Sequence, residues 1–115
     1  MKGLTVTADP DLLQQALINL VKNAVEAARG RAEAQVRIDC ELVGDRLAIS
    51  VADNGPGLEH ADAEAAFVPF FTTKTGGSGI GLALSRQIAI AHGGRLDYRP
   101  RAQGGAVFIL SLPIG

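Results

Sequence analysis

Aromatic residues make up only 4% of this 115-residue chain, and cysteine occurs once. So few rings cannot line a groove on which successive nucleobases stack. A lone cysteine, Cys40, excludes any intramolecular disulfide, and its place in an alternating run predicts a packed small thiol rather than a nucleophile. An excess of one charge is missing too. The 11 basic and 12 acidic residues leave a formal net charge of −1, and no run of Lys or Arg marks a nucleic-acid footprint or an anionic-membrane anchor. The amino end, MKGLTVTADP, lacks the apolar core of a signal peptide. No stretch approaches the roughly 18 to 20 apolar residues of a membrane span. The expectation is a soluble, cytoplasmic chain with no nucleic-acid partner and no membrane contact of its own.

What is present is a 47% hydrophobic composition built mainly from Ala, Leu, Val and Ile. A chain of this length buries roughly two thirds of the surface it exposes when unfolded, so residues 1–115 are read as one domain. LTVTA at 4–8 reads as a short strand. Asp9 before Pro10 is a helix start with a capping side chain and proline in the first turn, predicting a helix from Pro10 to Arg29. Its apolar stripe is Leu13, Leu17, Leu20, Ala24 and Ala28, and Gly30 stops it. AQVRIDCELV and RLAISVAD read as a hairpin turning at Gly44-Asp45. A loop DNGPG, a short helical patch over 61–66 and the segment FVPFFTTKTGGSG follow. A second helix is predicted over 79–91, then a hairpin from GRLDYRP and GGAVFILSLP, with 101–105 as its loop. This order predicts an α/β fold, an α+β two-layer sandwich with helices on one face of a mostly antiparallel sheet.

Three stretches carry chemistry. Gly76, Gly77, Gly79 and Gly81 stand at the start of the second helix, where backbone N–H groups and the dipole favour an anion. Neither the P-loop nor the dinucleotide fingerprint is present. Gln15, Asn19 and Asn23 recur every four residues beside the apolar stripe of the first helix, and Glu26 continues the line. Two amides at that spacing suit a nucleotide-bound Mg²⁺, which takes few protein oxygens and completes its octahedron with phosphates and water. Asp53 ends an otherwise apolar strand, so its carboxylate is expected at the sheet edge, where it can accept a hydrogen bond from an exocyclic amine. Taken singly, these stretches also read as a mobile loop, a solvated helix face and a tight turn.

Together, QQALINLVKNAVEAA (14–28), DNGPGL (53–58), FVPFFTTK (67–74) and GSGIGL (77–82) resemble, in order, the N, G1, F and G2 boxes of sensor histidine kinases. The resemblance covers nearly the whole chain from Asp9 to Pro113. It implies the catalytic, ATP-binding domain, whose Bergerat sandwich is shared with gyrase, the mismatch-repair ATPases and the large heat-shock chaperone. Asn23 then matches the Mg²⁺ ligand, Asn19 its companion near the phosphates, and Asp53 the carboxylate that reads the adenine amine. Gly55 and Gly57 match the glycines that flank adenine and hinge the ATP lid. Phe67, Phe70 and Phe71 match the F box, Thr72, Thr73 and Lys74 follow them into the lid, and Gly77, Ser78, Gly79, Ile80, Gly81 and Leu82 form the G2 box. The catalytic set implied is Asn19, Asn23 and Lys74.

The same resemblance implies Mg-ATP as ligand, ADP as product and a histidine on a separate helical dimerisation domain as phosphoacceptor, with a response regulator downstream. That helical domain is not recognisable here, and the isolated domain is expected to be a monomer. Neither His60, in LEHADA, nor His92, in AHGG, precedes an acidic residue as the family's phosphoacceptor histidine commonly does. Glu26 stands where many members carry a basic residue, and NAVEA is closer to the nitrogen-regulation type. Two other classes remain open: an ATPase that couples turnover to conformational change, which calls for glutamate where Asn19 stands, and a degenerate binding module, which calls for broken boxes.

Overall fold

A computed structural model of the chain describes residues 7–57, 67 and 81–114. In order these form helix α1 (Pro10–Ala28), strands β1 (Val36–Val43) and β2 (Arg46–Asp53), helix α2 (Gly81–Ala91), and strands β3 (Arg95–Pro100) and β4 (Ala106–Pro113). Thr7 and Ala8 belong to no regular element. The rest of the strand expected over 4–8, and the helical patch expected over 61–66, lie outside the described residues.

Local chemistry sets the helix ends. The Asp9 carboxylate accepts hydrogen bonds from the backbone N–H groups of Asp11 (3.0 Å) and Leu12 (3.2 Å), and Pro10 fills the first helical position, where no N–H is needed. At the other end the Arg29 N–H donates to the carbonyls of Val25 and Glu26, so the expected helix ends one residue early. α2 ends in a Schellman motif, with Gly94 N–H on the Ala89 carbonyl at 2.8 Å and Gly93 N–H on that of Ile90 at 3.0 Å.

The four strands form an antiparallel sheet in the order β1-β2-β4-β3. The two hairpins are therefore joined through β2 and β4, whose register sets Val51 opposite Phe108 and Ile49 opposite Leu110. These side chains share one face with Leu96 and Leu112, and with Leu20, Ala24 and Ala89 from the helices they make the core. Each Leu, Ile or Phe buried in this way contributes about 1.5–3 kcal/mol. Both helices pack on this face, giving the two-layer sandwich. Along α1 the fully buried positions are Ala16, Leu20, Ala24 and Ala28, while Leu13 and Leu17 are only partly buried. The stripe is thus rotated toward Ala16, because α1 faces a second helix as well as the sheet.

Cys40 departs from expectation: it is exposed. Among the described residues β1 stands at an edge of the sheet, outside the row of side chains that the helices cover, and Ile38 and Leu42, on the same face as Cys40, are 54% and 42% exposed. Alternation correctly marked a strand here, yet an edge position leaves its apolar face open.

Candidate functional site

The C-terminal end of β2 brings the Asp53 loop, the last turns of α1 and the loop between β3 and β4 together. Asp53 lies at the end of an inner strand, paired with Val36 and Ala106, rather than on the sheet edge. It is 1% exposed. Its Oδ1 accepts the Gly55 N–H at 2.9 Å, and Oδ2 is buried beside it. A carboxylate has about four acceptor positions, so a ligand amine fits this carboxylate as an additional donor.

Close backbone packing shapes the surroundings. A β-carbon on Gly55 would collide with the Ala27 carbonyl of α1, and one on Gly105 with the Asp53 carbonyl. Glycine at both places lets the loop lie directly on the helix and on the strand end. Asn54, read from sequence only as part of a turn, clips the segment before β1. Its Nδ2 donates to the Glu33 carbonyl (2.7 Å), its Oδ1 accepts the Gln35 N–H (2.9 Å), and its own N–H donates to the Gln35 carbonyl (3.3 Å). This side chain extends the β1–β2 pairing by one step past Asp53.

Asn19 and Asn23 are both half-buried and one turn apart on α1. The Asn19 Nδ2 donates to the Gly81 carbonyl at 3.4 Å, which ties α1 to the first residue of α2. The structure therefore brings Asn19 of α1 and Gly81 of α2 together. Asn side chains offer hard oxygen donors, and such donors fit Mg²⁺, which binds through one or two protein oxygens. Gln15 and Glu26, which continue the line, are exposed, and so is Lys22.

Aromatic packing links the site to α2. Tyr98 and Phe108 have centroids 5.4 Å apart, Phe108 and Phe67 meet edge to face at 6.0 Å, and the Arg86 guanidinium sits 4.8 Å over the Phe67 ring. A β-carbon built on Gly57 would lie 3.7 Å from the Tyr98 hydroxyl, so this chain of rings runs from beside the G1 box to Phe67 of the F box. Leu82 packs partly buried against the core. Phe70, Phe71, Thr72, Thr73, Lys74, Gly77, Ser78, Gly79 and Ile80 lie outside the described residues.

At the opposite end of the sheet, His92 joins the two helices. Its Nε2 accepts the Asp9 N–H at 3.0 Å and its Nδ1 lies 2.7 Å from the Ile88 carbonyl, an arrangement that requires the Nδ1–H tautomer. Both ring nitrogens are engaged in structure. His60 lies outside the described residues. Among those described, no helix is long and apolar enough to cross a membrane.

Residues 8–115 match the family described as histidine kinase-, DNA gyrase B- and HSP90-like ATPase. The C4-dicarboxylate transport sensor protein DctS of Rhodobacter capsulatus is 42% identical over 111 residues, which are 95% of this chain and 17% of that protein. The nucleotide-free catalytic domain of histidine kinase ThkA superposes with a TM-score of 0.84 at 39% identity, over 94% of this chain and 70% of that one. Full-length ShkA in complex with AMPPNP superposes at 0.83 with 30% identity, over 98% of this chain and 24% of that one. The chain spans about one fifth of the length of the sensor proteins it matches. A buried aspartate beside two glycine-packed loops, an Asn pair on the adjoining helix and this likeness in sequence and fold agree: the chain belongs to the histidine kinase-, DNA gyrase B- and HSP90-like ATPase family, as a catalytic domain of the sensor histidine kinase type.

Proposed function

We propose that this domain, residues 1–115, binds Mg-ATP and presents the γ-phosphate to a histidine on a separate helical dimerisation domain, within a two-component sensor kinase that serves a response regulator. The observation that carries the reading is Asp53, a carboxylate 1% exposed at the end of an inner strand and packed against Gly55 of its own box and Gly105 of the β3–β4 loop. Such a group suits recognition of the adenine amine. The NAVEA segment, Asn23 to Ala27, supports assignment to the nitrogen-regulation-like subtype, and its Glu26 is exposed.

Asp53 accepts from the adenine amine, and Gly55 and Gly57 let the backbone approach the base. Asn23 supplies an amide oxygen to the cation, with Asn19 beside it near the phosphates. When bound, Mg²⁺ neutralises charge on the phosphate oxygens and helps hold them in line for transfer. The glycines from Gly77 to Gly81 offer backbone N–H groups to the triphosphate, and Lys74 adds a cation there. An imidazole nitrogen from the acceptor domain then attacks the γ-phosphorus as the bond to the ADP oxygen breaks.

Asn19 also bears on why hydrolysis is avoided. An amide cannot take a proton from water at neutral pH, and a positioned general base contributes about 10²- to 10⁴-fold in rate. The isolated domain should hold Mg-ATP and hydrolyse it very slowly. Steady-state phosphate release by the purified chain, with transfer to an added helical hairpin domain of a matching kinase, tests this. Slow release with phosphohistidine formed on the hairpin supports the proposal, whereas brisk hydrolysis without an acceptor overturns it in favour of an ATPase.

A further inference from the structure

We propose that Ser85 is a positioning residue of the nucleotide site, fixing the register of α2 against α1 so that Gly81 is held to Asn19; the inference rests on the reading that this site takes ATP. Ser85 is fully buried in the middle of α2, and its Oγ donates to the Ala16 carbonyl of α1 at 3.1 Å. That carbonyl lies inside a helix and already accepts the N–H four residues on. The hydroxyl is therefore not needed to satisfy α1, and what it adds is a fixed point between two helices. The facing positions are small, with Ala16 and Ala89 both 0% exposed, so the backbones come close enough for a serine to span them.

A second cross-link lies one turn away on each helix. Gly81 is four residues before Ser85 and Asn19 is three after Ala16, and these two meet through the 3.4 Å bond from Asn19 Nδ2 to the Gly81 carbonyl. That bond is near the outer limit of hydrogen-bond length, so a slide of a few tenths of an ångström between the helices would break it. The shorter Ser85 bond prevents such a slide. Ser85 is not a nucleophile, since its hydroxyl is buried and committed to Ala16. Its influence reaches the ligand through Gly81 and Asn19 at the phosphate end, while Asp53 holds the adenine end on a different element.

This division sets the test. Affinities of the wild-type chain, Ser85→Ala, Asn19→Ala and the double variant would be measured by calorimetry for Mg-AMPPNP and for adenosine, on folded protein well below its melting temperature. The expected result is about three- to tenfold weaker binding of AMPPNP by Ser85→Ala, the scale of one lost hydrogen bond, with adenosine affinity changed by less than about twofold. The effect should vanish in the Asn19→Ala background. Equal losses for both ligands, or no loss for either, overturn the positioning role. Should Ser85→Ala not fold, the near-isosteric Ser85→Cys, a weak donor, takes its place with the same expectations in direction. Wild-type protein that binds neither ligand overturns the nucleotide reading itself, whereas wild-type binding with an unaltered variant overturns only the role of Ser85.

Discussion

Gly105 packs backbone to backbone against Asp53, so closely that a β-carbon at position 105 would collide with the Asp53 carbonyl oxygen. Gly105 also sits at φ +112°, a conformation that side-chain-bearing residues rarely adopt. Gly105→Ala should therefore do two things. It should destabilise the fold by at least about 1–2 kcal/mol through backbone strain. It should also weaken ATP binding, because the strand end carrying Asp53 must move. Urea unfolding and calorimetric titration, run on the same preparation, check both.

Adenine selectivity is expected to rest on Asp53. Asp53→Ala should weaken ATP and ADP binding by about 1–3 kcal/mol, the scale of an enclosed hydrogen bond to a charged acceptor. GTP, which presents a carbonyl where ATP presents an amine, should bind the wild-type chain far more weakly than ATP. Competition of ATP and GTP against a fluorescent ATP analogue reads this out, and equal affinities would remove Asp53 from the site.

Asn54 is expected to matter for stability in a way its turn-like setting conceals. It makes two side-chain hydrogen bonds to the 33–35 segment. Asn54→Ala should lower stability by about 1–3 kcal/mol, at about 0.5–1.5 kcal/mol for each bond lost. Asn54→Asp keeps an acceptor for the Gln35 N–H but sets a carboxylate oxygen against the Glu33 carbonyl, so it should not restore the wild-type midpoint. Chemical denaturation of the three proteins decides the matter.

His92 should prove structural. Its ring bridges the first residue before α1 and the last turn of α2. His92→Ala should cost about 1–3 kcal/mol of stability, for two lost hydrogen bonds. Nucleotide affinity should be unchanged, because the bridge lies at the end of the sheet remote from Asp53. Mass spectrometry after incubation with ATP should find no phosphate on His92.

Much of this fold was legible because its signals are local. Asp9-Pro10 marks the start of α1, Gly44-Asp45 turns one hairpin, and His92-Gly93-Gly94 closes α2, each through contacts within a few residues. The four boxes and their order were equally legible, and they point to the family that the whole-chain comparisons show. Chain order alone could not say that β2 and β4 are the inner strands of the described sheet, since either hairpin could present either of its strands to the other. That choice exposes Cys40, buries Asp53 and brings Gly105 against it. Ser85 illustrates the same limit. A serine within an apolar helix is a visible oddity in GLALSRQIAIA, but its acceptor is the Ala16 carbonyl, 69 residues away. The sequence by itself determined the elements, their ends and the chemical vocabulary of the site, because propensity, capping and turn geometry act over a few residues. Only the tertiary structure decided which faces meet and which polar groups find partners, because those depend on helix register and strand order set by packing of the whole core.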